Sequence, residues 1–202
     1  DFVAEKDYTT PGLEIVDEMT KEELQGLVDI IERNGKTCSV PKREDCGEGV
    51  RAEEAYRNQV KKVFREYGSH TLGFALKSYQ DILRKVCDKM EIVHVKNASM
   101  ERLEQELLTQ VMERAWDKMT EEQRAEILAS GEPSLNYKKE VSFTAVNLAG
   151  RWIGLLTGPV GIALTTLYTL WEFGGAAYRV IVPATIYIAA IRQVHKADKV
   201  SD

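Results

Sequence analysis

Glu91-Ile92-Val93-His94 places a carboxylate and an imidazole three residues apart, the spacing of ligand pairs in carboxylate-bridged di-metal bundles. Such a centre needs two of these pairs and two further Glu residues on facing helices. The other histidines, His70 and His195, have no acid three residues before them, so this one reads as a surface histidine at a helix end. Cys38 and Cys46 flank a charged loop, but a zinc site takes four ligands, usually in two tight pairs. Two cysteines eight apart read as incidental thiols, and Cys87, on an apolar helix face, reads as a core residue. No phosphate-cradling Gly loop, dinucleotide fingerprint or nucleophile elbow occurs. The carboxylates at 101–106 and 121–126 and the basic trio Lys61, Lys62 and Arg65 read as solvated helix faces. No catalytic, cofactor-binding or metal-ligating residue is expected, and the bundle reads as non-enzymatic.

The last third carries the unusual chemistry. Between Val141 and Ile191 the only charges are Arg151, Glu172 and Arg179. Trp152 to Trp171 is a 20-residue uncharged stretch, long enough to cross a bilayer. Gly158-Pro159 and four threonines interrupt it, which favours a turn between two shorter helices, roughly 144–157 and 159–173. Gly150, Gly154 and Gly158 recur every four residues with Gly161 nearby, a smooth face that permits close backbone approach in a soluble core or in a membrane. Trp152 and Trp171, with Tyr168, Tyr178 and Tyr187, suit a membrane interface or a core whose N–H and O–H groups are partnered. An unpaired charge is costly in either setting, so Glu172 is expected to pair with Arg179 or Arg151. Gly174-Gly175 precedes a third apolar segment, Ala176 to Val194, in which Pro183 either kinks a helix or marks its first turn. The candidate partner or membrane surface therefore comprises the four glycines with Arg151, Pro159 and Leu164, and beyond them Glu172, Tyr178, Arg179 and Pro183.

The elements that hold this segment are helical. Leu13, Ile15 and Val16 suit one short turn after a polar arm. Thr20-Lys21-Glu22-Glu23 is a capping box opening a helix with Leu24, Leu27, Val28 and Ile31 at helical spacing, ended by the left-hand-capable pair Asn34-Gly35. Residues 36–49 read as a loop. The pattern predicts a second helix from Ala52 to Tyr67 with Ala55, Tyr56, Val60, Val63 and Phe64 inward and Gly68 as its stop, and a third from Thr71 to about Met90. Residues 91–95 break the helical period. Ser99 caps a fourth helix reaching Trp116, with Leu103, Leu107, Leu108, Val111 and Met112 on one stripe, and Thr120-Glu121-Glu122-Gln123 opens a short fifth. Residues 130–140 are the boundary between an acidic bundle and the apolar segment.

The 202 residues carry a net charge of -5, and 141–202 contains five basic and three acidic side chains, so the negative charge lies in the first part. An acidic chain without clustered Lys and Arg is a poor nucleic-acid binder. Three cysteines do not make a closed disulfide framework, and no charged region followed by an apolar run reads as a signal peptide at the start; the first residue, Asp1, suggests a trimmed start.

Leu13–Val16 running into Thr20–Leu24, Val86–Met90, Leu103–Leu108 and Lys118–Glu122 together resemble the YaaW-like family of bacterial proteins. The most specific matches are Gly158–Gly161, Ala177–Ala184 and Ile188–Arg192. Some catalogues group that family with ubiquinol–cytochrome c chaperone-like proteins. The sequence departs from the family pattern around Gly68–Thr71 and has a shorter connection from Leu128 to Val146. The resemblance implies a fold and carries no established reaction. The expected setting is the bacterial cytoplasm, peripheral to or inserted in the inner membrane.

The expected fold is all-α: an N-terminal helical bundle (1–130), a linker (131–140) and an apolar Gly-rich helical hairpin with a C-terminal helix (141–202), which can pack onto the bundle as one domain. The expected function is a helical interaction protein. The alternative is a membrane-active chain that inserts 144–173 as the hairpin of a pore-forming toxin does, and a weaker one is an enzyme or metal protein with an unrecognised site. The partner is a protein or a lipid bilayer, with no cofactor and no nucleic acid.

Overall fold

The computed structural model describes residues 10–69, 76–118, 120–122, 124–125 and 175–201. Among these the fold is all-α, with no strand: α1 (Ile15–Glu18), α2 (Lys21–Asn34), a 3-10 turn (Arg43–Cys46), α3 (Val50–Ser69), α4 (Tyr79–Lys89), α5 (Met100–Lys118) and α6 (Ala176–Ser201). The predicted hairpin, 144–157 and 159–173, and the 130–140 boundary lie outside the described residues.

Local chemistry accounts for most helix ends. The Thr20 side chain accepts from the Glu23 amide at 3.2 Å while Glu23 accepts from the Thr20 amide at 2.8 Å, completing the capping box at α2. Ser99 Oγ accepts from the Arg102 amide, as expected for the cap of α5. The third predicted helix starts later than its periodicity suggests. Residues 76–78 are not helical, and Ser78 caps α4 by accepting from the Asp81 amide at 3.2 Å. Gly68 does not stop α3, which runs through it to Ser69. A Cβ there would collide with Ile82 of α4, so glycine is present for helix contact. Gly35 does end α2, but with φ -90° rather than a left-handed conformation. Its missing Cβ leaves room for the Tyr67 hydroxyl, which accepts from the Thr37 and Cys38 amides and donates to the Cys38 carbonyl at 2.7 Å. Ala55, read as inward, is exposed; Ala52 and Tyr56 make the buried side.

The centre of the molecule is α6. Every residue from Val180 to Ile191 is buried, including Pro183 in the middle of the helix. It packs against α1, α2, α3, α4 and α5. A helix apolar on all sides must be enclosed, and here other helices enclose it. Gly175, at φ +108°, turns the chain into its first residue, a conformation that glycine adopts without a Cβ penalty. Leu24, Leu27 and Ile31 of α2, Val60 and Phe64 of α3, Ile82, Leu83 and Val86 of α4, and Leu103, Leu107 and Leu108 of α5 share one core with it. No described helix is long and apolar enough to cross a membrane.

Candidate functional site

Buried polar chemistry collects on one side of α6. The stripe Leu103, Leu107, Leu108 and Val111 turns α5 inward, and Glu104 lies on that stripe, fully buried at 0% exposure. Its Oε1 accepts from the Tyr79 hydroxyl of α4 at 2.7 Å and from Arg192 Nε of α6 at 3.1 Å. Arg192 also donates to the carbonyl of Gly12 in the segment before α1, and its guanidinium lies 5.7 Å from the Tyr79 ring centroid. The Gly12 backbone approaches so closely that a Cβ there would meet Met100 Sδ at 2.7 Å and Tyr79 Cδ1 at 2.8 Å. Three helices and the N-terminal segment thus meet at one carboxylate. The reading of 101–106 as solvated acids fails at Glu104, because the stripe that buries Leu103 and Leu107 takes Glu104 with them.

Burial lifts the Glu104 carboxyl above the usual carboxylate range, against the pull of Arg192 and the Tyr79 hydrogen bond. Burial and then the Glu104 charge push the Tyr79 phenol well above its ordinary value. Burial opposes the Arg192 charge, and Glu104 and Tyr79 outweigh it. Glu104 Oε2, Thr185 Oγ1 and Gln193 Nε2 are buried without a hydrogen-bond partner among the described residues.

Other basic side chains are spent in a similar way, on backbone carbonyls at the ends of elements. Arg57 of α3 donates to the Val16 and Asp17 carbonyls at 2.5 and 3.3 Å, closing α1. Lys85 of α4 donates to the Gly68 carbonyl at 2.8 Å, closing α3. Arg114 of α5 donates to the Met90 and Glu91 carbonyls at 2.5 and 2.9 Å, closing α4. Arg65 of α3 holds the Leu76 and Lys77 carbonyls, both at 2.8 Å, in the approach to α4. The last carbonyls of a helix have no partner within it and carry its negative dipole end, so a cation from a neighbouring helix satisfies both demands. Burial, followed by the neighbouring Lys77, lowers Lys85 to about 8. The reading of Lys61 and Arg65 as a solvated basic face fails for the same reason: Arg65 is a loop tether, and Lys61 is buried against Asp17 at 2.6 Å.

Of the residues singled out from the sequence, Gly150, Arg151, Gly154, Gly158, Pro159, Gly161, Leu164 and Glu172 lie outside the described residues, and with them the Glu172 ion pair. Tyr178 is half-buried with Lys89 Nζ 5.3 Å from its ring centroid, Arg179 is exposed, and Pro183 is enclosed in α6. His94 meets Asp88 at 3.3 Å rather than pairing with Glu91, whose backbone turns left-handed at φ 54°. No three His, Cys, Asp or Glu side chains gather as metal ligands among the described residues. Burial pushes the Cys87 thiol up to about 12, in keeping with a core residue. Glu104, Tyr79 and Arg192 were not singled out as a site. The signal was present: an acid in phase with an apolar helix stripe, and an Arg at the end of an apolar run.

Fold and site together define an all-helical bundle laced by buried charge, with an apolar C-terminal helix as its axis. The chain resembles YaaW-like proteins, and three relatives support the resemblance. It is similar to the UPF0174 protein of Helicobacter pylori strain J99, at 27% identity over 68% of this chain and 71% of that protein. It is similar also to the UPF0174 protein YaaW of Escherichia coli K12, at 28% identity over 61% of this chain and 64% of that protein, and equally to that of Escherichia coli O157:H7. The chain thus spans just under two thirds of the Escherichia coli relatives. No family model matches it. No solved structure matches it.

Proposed function

We propose that the chain is a non-enzymatic helical interaction protein of the bacterial cytoplasm, close to the inner membrane, and that its 141–174 segment engages a protein partner. The observation that supports this reading is the way the bundle spends its half-buried cations. Arg57, Arg65, Lys85, Arg114 and Arg192 each hold a carbonyl of another element, so their donors brace the frame. A frame braced at its helix ends suits a scaffold that carries a binding segment between α5 and α6. Trp152 and Trp171, which bracket the uncharged stretch, favour a second reading in which that segment enters lipid.

The test is purification without detergent, followed by liposome flotation and dye release with the full chain. Monodisperse protein that stays at the bottom and releases no dye supports the protein-partner reading. Flotation with leakage supports insertion, and flotation without leakage supports a peripheral scaffold. Leu164→Asp sharpens the result. It abolishes flotation and spares the fold if Leu164 enters lipid, and it unfolds the chain if Leu164 belongs to a core.

A further inference from the structure

Three cations converge where α3 gives way to α4. Lys85, in the second turn of α4, leans back along its helix and donates to the Gly68 carbonyl at 2.8 Å. The next residue, Ser69, accepts from the Lys77 amide with its hydroxyl at 2.8 Å. Arg65 of α3 holds the Leu76 and Lys77 carbonyls, both at 2.8 Å, and so fixes Lys77 from the other side. These ties bring the Lys77 side chain within hydrogen-bonding reach of the Lys85 ammonium group, and both residues are half-buried. Counter-charge is short here. The sequence holds no acid between Glu66 and Asp81. Glu66 turns to Lys62 at 3.9 Å, and Asp81 accepts from the Ser78 hydroxyl at 2.6 Å at the cap of α4. Neither Lys77 nor Lys85 has a carboxylate partner among the described residues.

We propose that Lys77 and Lys85 form a binding site for a phosphate group, which sits between the two ammonium groups and supplies the charge they lack. Each ammonium group has three N–H donors, of which Lys85 spends one on the Gly68 carbonyl. Like charges side by side repel, and partial burial strengthens the repulsion because less water screens it. A carboxylate would balance one of the two charges. A phosphate monoester carries about 1.5 to 2 negative charges at pH 7 and three acceptor oxygens, so one group serves both lysines. The α4 helix begins two residues after Lys77, and its positive dipole end favours an anion there. The unbalanced pair leaves its mark on Lys85, which burial first and Lys77 second hold down at about 8. A bound dianion opposes both effects and raises that value. The inference is independent of what the 141–174 segment binds.

The experiment is competitive acetylation of the full chain with trace acetic anhydride at about pH 7.5, where an ordinary lysine is almost wholly protonated, with each lysine quantified by mass spectrometry relative to Lys199. Only the neutral amine reacts, so labelling reads the unprotonated fraction of Lys85. One arm adds millimolar inorganic phosphate against a chloride control of equal ionic strength. The other adds phosphatidylcholine vesicles with or without phosphatidic acid. Raising the Lys85 midpoint by one pH unit cuts its neutral fraction by about eightfold at this pH, so its labelling should fall by about that factor in at least one arm. Protection by inorganic phosphate and not by vesicles supports the site with a soluble phosphate compound as its ligand. Protection by the phosphatidic acid vesicles supports it with a lipid headgroup. Lys77→Gln should abolish the protection, measured against its own unprotected baseline, and Lys77→Arg, which keeps the charge, should retain it. Labelling of Lys85 that is unchanged in both arms, or protection that persists in Lys77→Gln, overturns the proposal.

Discussion

From Val180 to Ile191 α6 is buried on every side, whereas from Arg192 onward the same helix meets α1, α2 and α5 through charged groups. The first half is held by apolar area, which is indifferent to salt and to pH near neutrality. The second half grades outward, from the pair of the fully buried Glu104 with the mostly buried Arg192, through the half-buried His195, to the exposed Lys196 and Lys199 pairs. Position along one helix therefore sets how much each contact is worth and which solution condition weakens it. The strongest contacts lie where the two halves join.

Glu104→Ala should show the largest effect. It leaves Arg192 charged and buried with one partner lost, which costs about 4 kcal/mol, read as a lower denaturant midpoint at unchanged slope. Replacing Glu104 and Arg192 together by Met should recover part of that loss, because a buried pair is often no better than apolar side chains of similar volume. Recovery stays incomplete because the Gly12 carbonyl loses its donor. If the double variant is less stable than Glu104→Ala, the pair does more than compensate its own burial.

Ile188→Ala tests the apolar half. Ile188 is fully buried, and removing its side chain leaves a cavity that should cost about 3 kcal/mol. The loss should be the same in low salt and in 1 M salt (a roughly tenfold rise in ionic strength, at which the Debye length is about 3 Å). A salt-dependent loss would show that the two halves are not separately held.

Gly26→Ala probes the contact of α2 with α6, where an added Cβ would collide with the Tyr187 hydroxyl. Overpacking there should cost about 1–2 kcal/mol. Tyr187→Phe in the same chain should return part of it, since the colliding oxygen is gone. A pair of variants whose effects simply add would mean that the two side chains do not meet.

How these features could be read in advance differs along the chain. Whereas 176–194 is apolar all round and offers no such spacing, the α2 capping box and the inward stripe of α5 follow from spacing alone, because helix periodicity and caps are local. The start of α4 did not, because Leu72 and Leu76 continue the apolar phase of Tyr79, Ile82 and Leu83 past the point at which Ser78 caps the helix. The Glu104 knot joins residues 12, 79, 104 and 192, and nothing local says which Arg meets a buried acid. Gly68 could be read as a stop because a glycine that ends a helix and a glycine that admits Ile82 look alike until the partner helix is in place.

Titration separates the buried acid from the exposed ones by sign. Glu104 is raised by burial, so the folded chain takes up that proton more readily than the unfolded chain, and this term adds stability as pH falls through the raised value. Glu18 and Glu101 are lowered, by Lys199 and Lys196. Their terms are present above the ordinary carboxylate range and are lost as pH falls through the lowered values. As pH falls from neutrality through the ordinary carboxylate range, Glu104→Gln should therefore lose stability more steeply than the parent chain, as followed by denaturant midpoints. An identical slope would place the Glu104 proton outside the folding equilibrium.

The smallest effect is expected at the far end of α6. Lys199→Ala breaks the 2.8 Å pair with Glu18, whose two side chains are 69% and 46% exposed. Solvent screens a pair of that kind and both long side chains lose rotamer freedom in forming it, so the expected cost is below about 0.5 kcal/mol. That small cost should vanish in 1 M salt (where the Debye length is about 3 Å), unlike the losses at Glu104 and Ile188. The difference between Lys199→Ala at low and high salt then measures how far the apolar hold of α6 reaches. If Lys199→Ala costs as much as Glu104→Ala, the end of α6 is not a screened surface. The outer turns would then belong with the buried half of the helix.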